Sequence, residues 1–201
     1  METIMTYKYD DVIVDIIQDF EPIDPRTWDN LGTMICGHPR HVLGDEQFSR
    51  GEYANAYELR KHLFKDRDAL IALPLYLLDH SMLSMSTEPF GGYIGRFDSS
   101  MIGYIYVSKE KIREEYGKKR ISKKLRESVT EYLKGEIETY NQWLQNDVYG
   151  YSKYRLKICE CCGTVLKKDI DSCWGFYGFD FENNGLWEYA DINESWIEVI
   201  E

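Results

Sequence analysis

The chain has 201 residues, 43% of them hydrophobic and 29% charged, long enough to bury a full core without help from a metal or a disulfide. Its formal charge of −11 repels phosphate backbones, which argues against direct nucleic-acid binding. The apolar run Ala69–Leu78 is interrupted by Pro74 and falls well short of the roughly 20 residues of a membrane span, so no membrane partner is expected.

The N-terminus shows no positively charged stretch leading into an apolar one, and the five cysteines are an odd number. Together these features predict a cytoplasmic protein with reduced thiols. Aromatic residues are abundant (16 Tyr, 8 Phe and 5 Trp) and suit either a dense core or a contact surface. Charge is unevenly spread: residues 169–201 hold nine acidic side chains and no Lys or Arg, whereas residues 108–126 hold nine basic and three acidic ones. Such asymmetry suits an acidic face that docks on something basic, or solvated helix faces.

In chain order, Asp11–Asp19 alternates Val12, Val14 and Ile16 and predicts a half-buried strand, ended by Pro22 and Pro25. Leu31–Cys36 reads as a short strand leading into the loop Gly37–His41. A helix is predicted from about Glu52 to Lys65, with Arg60 snorkelling beside an apolar stripe. Ala69–Leu78 reads as a buried strand, with Pro74 demanding an edge or a bulge. Met82–Thr87 and Ser100–Val107 are further strands, separated by a glycine-rich loop over Pro89–Gly95.

Ser108 caps a helix stopped by Gly117, and Ser122 caps the longest helix, over about 122–145. Its stripe Leu125, Val129, Leu133, Ile137, Tyr140 and Leu144 steps by three or four residues. A hairpin is predicted around 149–174, turning at Cys159–Gly163, and the acidic tail 186–200 reads as helix. Grouped rather than alternating elements favour an α+β fold. The reading draws one domain over 1–201, with an antiparallel or mixed sheet packed by helices and the hairpin as a protruding arm.

Three groups of residues have chemical potential. Cys159 and Cys162, with two residues between them in a tight turn before Gly163, can grip one tetrahedral metal from the same side. Zinc would need two more ligands, for which Cys36, His38 and His41 are the clustered candidates; free thiols and a redox role are the alternatives, and no other cofactor is expected. Asp79 and His80 follow the apolar strand. Adjacent side chains of an extended chain point to opposite sides, so the partner of His80 is sought in Asp98 or Asp171 rather than Asp79. Cys173 could act as a nucleophile with His80 as base, or be a small core hydrophobe. His38, Arg40, Trp174 and Tyr177 complete the candidate binding residues.

Several stretches resemble a family of accessory proteins encoded by bacteriophages and prophages of low-GC Gram-positive bacteria. They are Gly32–His38 (with ICGH), Leu43–Asp45, Leu73–Ser81 (LPLYLLDHS), Ile105–Lys111 (with YVSKEK) and Asp171–Gly178 (DSCWGFYG). The resemblance implies a setting, the cytoplasm of a host cell, rather than an activity, and it does not include the Cys159–Gly163 turn. The expected function is binding of a macromolecular partner, most simply a protein, with inhibition of a host defence as one form of it. The alternatives are a small enzyme or small-molecule binder with a His/Asp/Cys cleft, and a zinc-stabilised interaction module.

Overall fold

A computed structural model describes residues 3–49 and 51–199. The strands are β1 (Thr3–Tyr9), β2 (Val12–Gln18), β3 (Thr33–Cys36), β4 (Glu46–Gln47), β5 (Ala69–Asp79), β6 (Leu83–Ser86), β7 (Ser99–Ser108), β8 (Val148–Ile158), β9 (Val165–Tyr177) and β10 (Ile197–Glu198). The α-helices are α1 (Ala56–Asp66), α2 (Gly92–Asp98), α3 (Lys109–Tyr116), α4 (Lys123–Leu144) and α5 (Leu186–Tyr189). The fold is α+β, with one antiparallel and one mixed five-stranded sheet. Among the described residues no helix is long and apolar enough to cross a membrane.

Where the sequence reading draws one domain, the chain groups into two compact units. The terminal unit joins residues 1–23 to 146–201, and the central unit is the continuous stretch 24–145. Strand pairing explains the division: β2 pairs with β8, 131 or more residues away, so the two chain ends build a sheet of their own. The first join falls between Pro22 and Pro25, whereas no Pro- or Gly-rich stretch marks the second.

In the central unit the strand order is β4-β3-β7-β5-β6. The pleat sends Met34, Cys36, Ile105 and Val107 to one face, where Val129, Leu133, Ile137 and Tyr140 of α4 cover them. It sends Ile35, Tyr104 and Tyr106 to the other face, where Leu59 and Leu63 of α1 pack. Asn55, Ser108 and Ser122 each accept a backbone N–H three residues on and so fix the starts of α1, α3 and α4. Pro74 pairs with Tyr104 of β7 beside a register shift at Leu75/Tyr76, and β6 covers the other side of β5 only from Tyr76 onward. The proline thus sits where no strand needs its missing N–H.

In the terminal unit the order is β10-β1-β2-β8-β9. Val14, Ile16, Tyr149, Tyr151 and Phe176 form a buried face, covered by Phe181, Leu186 and Ala190 of the C-terminal segment. Beyond Arg155 the β8–β9 hairpin outruns β2 and continues as two strands to Ile158 and Val165.

Three expectations need correction. The tail is helical only over Leu186–Tyr189: Asp191 turns into the left-handed region, Asn193 binds the Ser195 N–H in a local turn, and Ile197–Glu198 pairs with β1. The glycine-rich loop becomes helix from Gly92, because Gly95 lies where a Cβ would meet the Phe90 carbonyl at 2.5 Å, a close approach only glycine allows. Strand β1 has no counterpart in the sequence reading, since Thr3–Tyr9 is only partly buried and lacks a clean alternation.

Candidate functional site

Strands β3 and β5 both run antiparallel to β7, so their C-terminal ends and the start of β7 meet at one end of the central sheet. That geometry gathers side chains from three separate stretches of sequence. His38, Arg40 and His41 follow β3, Asp79 ends β5, His80 comes next, and Asp98 immediately precedes β7.

Asp79 Oδ2 is the hub. Arg40 Nη2 lies 2.5 Å from it, His41 Nε2 3.2 Å and His38 Nε2 3.8 Å. The two imidazoles stack, with centroids 4.9 Å apart and planes 13° from parallel. Burial, reinforced by the neighbouring His41 and Arg40, holds the His38 pKa below its ordinary 6.5, against a weaker upward pull from Asp79. The shift favours the neutral form of the His38 imidazole. His80, in the bend just after β5, has a different partner: its Nδ1 lies 3.2 Å from Asp98 Oδ2. The result is two adjacent acid–base groupings rather than one. His38, His41 and Asp79 offer ligand atoms within 4.8 Å of one another, two imidazoles and a carboxylate able to hold a divalent metal.

The loop carrying His38 is anchored by a network the sequence reading does not single out. Arg26, with 5% of its side chain exposed, makes two bonds to Asp45, one to Glu136 of α4 and one to the Gly32 carbonyl. Asp45 also accepts the Met34 N–H, and Glu136 accepts those of Leu31 and Gly32. Three carboxylate–guanidinium partners spread over 110 residues leave no local pattern to read. The nearest signal is Asp45 within the stretch Leu43–Asp45.

Cys36 belongs to the core, not to this site. It is fully buried, and burial followed by the nearby Asp45 raises its thiol pKa to about 12. The four-ligand set expected from Cys159, Cys162, Cys36 and His38 does not appear as a group among the described residues. The structure instead brings Cys159 together with Cys161 and Cys162 at the tip of the hairpin, and His38 together with His41 and Asp79.

Cys173, Trp174 and Tyr177 lie on β9 of the terminal unit. Cys173 opposes Tyr151, Trp174 covers Gly150 so closely that a Cβ there would sit 2.3 Å from its ring, and the Tyr177 hydroxyl donates to the Ile23 carbonyl. On the same sheet Asp15 accepts from Thr6 and Tyr154, and Lys167 lies 4.1 Å from the Tyr154 ring centroid. These residues border an open cavity of about 490 Å³. No family model, curated protein or solved structure matches the chain.

Charge divides along the same line as the fold. The central unit holds 18 basic and 18 acidic side chains, and the terminal unit 6 basic and 17 acidic, so the whole net charge of −11 resides in the terminal unit. Its C-terminal segment buries Phe181, Leu186 and Ala190 yet leaves Phe179 and Tyr189 exposed, 50% and 65%, among the exposed Asp180, Glu182, Glu188 and Asp191.

Proposed function

We propose that the protein acts by binding a macromolecular partner with a basic surface, through the acidic terminal unit. The observation that carries this reading is the confinement of the net charge to 79 residues that also present exposed rings. Carboxylates around an exposed Tyr and Phe match the anatomy of a docking face, with aromatic anchors for affinity and charge for steering and partner choice. In line with the resemblance to phage accessory proteins, the proposed partner is a host or phage protein, a component of host defence included.

The test is retention of a partner from host lysate on the full chain, followed by affinity measurement with that partner purified. Tyr189→Ala should weaken binding by about tenfold or more, as truncation of a central aromatic anchor does, and Glu188→Lys with Asp191→Lys should weaken it further while flattening its salt dependence. No stoichiometric partner, or one indifferent to both changes, would overturn the reading.

A second reading, a small-ligand or enzyme site at the end of the central sheet, is supported by the meeting of Asp79, His38, Arg40 and His41 on one carboxylate oxygen beside the His80–Asp98 pair. Titrating divalent metal while following the imidazole resonances of His38 and His41 tests it. Resonances that stay unmoved at millimolar metal would remove the metal form of this reading.

A further inference from the structure

We propose that Cys159, Cys161 and Cys162, at the tip of the β8–β9 hairpin, bind one zinc ion through three thiolates, leaving its fourth position open to solvent. The three sulfurs lie within 4.8 Å of one another, and none of the three residues is in the core. Backbone closure shapes the tip: the Gly163 N–H donates to the Cys159 carbonyl and the Cys159 N–H to the Thr164 carbonyl, both at 2.8 Å. Gly163 takes φ +72°, the left-handed conformation that lets the chain reverse immediately after Cys162.

The turn also prepares the sulfur for a cation. Cys159 Sγ lies 2.9 Å from Cys161 Sγ, and the side chain and backbone N–H of Cys161, then those of Cys162, bring the Cys159 pKa down to about 7. Cys162 is lowered as well, first by its hydrogen bond to the Thr164 hydroxyl, whereas Cys161 is raised, first by the Cys159 side chain, so Cys161 is the thiol whose proton the metal has to displace. Thiolate is the form that ligates metal. Zinc–sulfur bonds of about 2.3 Å around a tetrahedral centre set sulfurs about 3.8 Å apart, so binding asks the closest pair to open by less than an ångström. Exposed side chains at a turn can make that movement. The reaction is balanced by protons alone: one Zn²⁺ replaces the thiol protons still present, up to three, and no electron moves.

This ligand set differs from the one that sequence spacing suggests. Cys161, the residue inside the Cys-x-x-Cys pair, supplies the third sulfur, and the Cys36–His41 loop supplies none. The site is independent of the docking face proposed above, which lies on the C-terminal segment.

The experiment uses the full chain, purified without a histidine tag and kept reduced with a phosphine. Zinc is counted by elemental analysis, and cobalt(II) serves as a visible probe of sulfur ligation. One equivalent of zinc and a sulfur-to-cobalt charge-transfer band are expected. Cys161→Ser should weaken zinc binding by about a hundredfold or more, as loss of a direct ligand from a three-thiolate site does, whereas Asp79→Asn should leave both signals unchanged. Folding of each variant is checked by circular dichroism. Zinc below half an equivalent, wild-type affinity in Cys161→Ser, or metal lost in Asp79→Asn but kept in a Cys159/Cys161/Cys162→Ser triple variant would overturn the proposal. The last result would assign the metal to the His38–His41–Asp79 group.

Discussion

Arg40 Nη2 stands 2.5 Å from Asp79 Oδ2, and this contact joins the loop after β3 to the end of β5. His41 and His38 converge on the same oxygen, so one carboxylate gathers a guanidinium and two imidazoles. Asp79 raises the His38 pKa while Arg40 lowers it. Asp79→Asn should therefore push that pKa further down, and Arg40→Ala should bring it up. NMR titration of the His38 ring separates the two, and shifts of the same sign in both variants would refute this electrostatic picture.

The lowered pKa of His38 fixes the sign of a stability change with pH. Unfolded, His38 takes up a proton near 6.5; folded, it does so only at lower pH. Between those values the unfolded state binds more protons, so the contribution of this group is complete above 6.5 and declines as the pH falls through that window. Urea unfolding of wild type and His38→Gln from pH 7.5 to 5 should show the two stability curves converging on the acid side. Parallel curves would mean that His38 titrates alike in both states.

Arg26 and Glu136 show how a buried ion pair can hold a loop in place. With Arg26 removed, Asp45 and Glu136 would remain as carboxylates with no guanidinium between them, and breaking such a pair typically costs about 3–5 kcal/mol. Arg26→Met should lower unfolding stability by an amount in that range, roughly, with Asp45→Asn costing less because the Met34 N–H keeps an acceptor. A loss within 1 kcal/mol, about the worth of an exposed pair, would show that water reaches the network.

What the sequence disclosed depended on how far apart the cooperating residues lie. The stripe Leu125–Leu144 takes five successive steps of three or four residues, so α4 could be read directly, cap included. The separate partners of Asp79 and His80 agree with the alternation expected of neighbouring side chains on an extended chain. By contrast, Arg26 and Glu136 are ordinary charged residues 110 positions apart, and only tertiary structure gives them a meaning. The tail misled for a related reason. Leu186, Trp187, Ala190, Ile192 and Trp196 look helical in spacing, but they are anchors of an irregular segment laid across a sheet whose strands come from both chain ends.

Gly103 sets the closeness of β3 and β7. A Cβ on it would sit 1.9 Å from the Ile35 carbonyl oxygen, a backbone atom held in the β3–β7 ladder, so the clash cannot be relieved by turning a side chain. Gly103→Ala must force the two strands apart beside Cys36, at the root of the loop that carries His38, Arg40 and His41. The expected cost is about 3 kcal/mol or more, at the upper end of single substitutions, together with weaker amide-exchange protection of Met34 and Ile35. Gly135→Ala, on α4 with open space around it, is the matched control and should stabilise by roughly 0.5–1 kcal/mol through helix propensity. If both variants changed stability alike, close strand approach would not be what requires glycine at position 103.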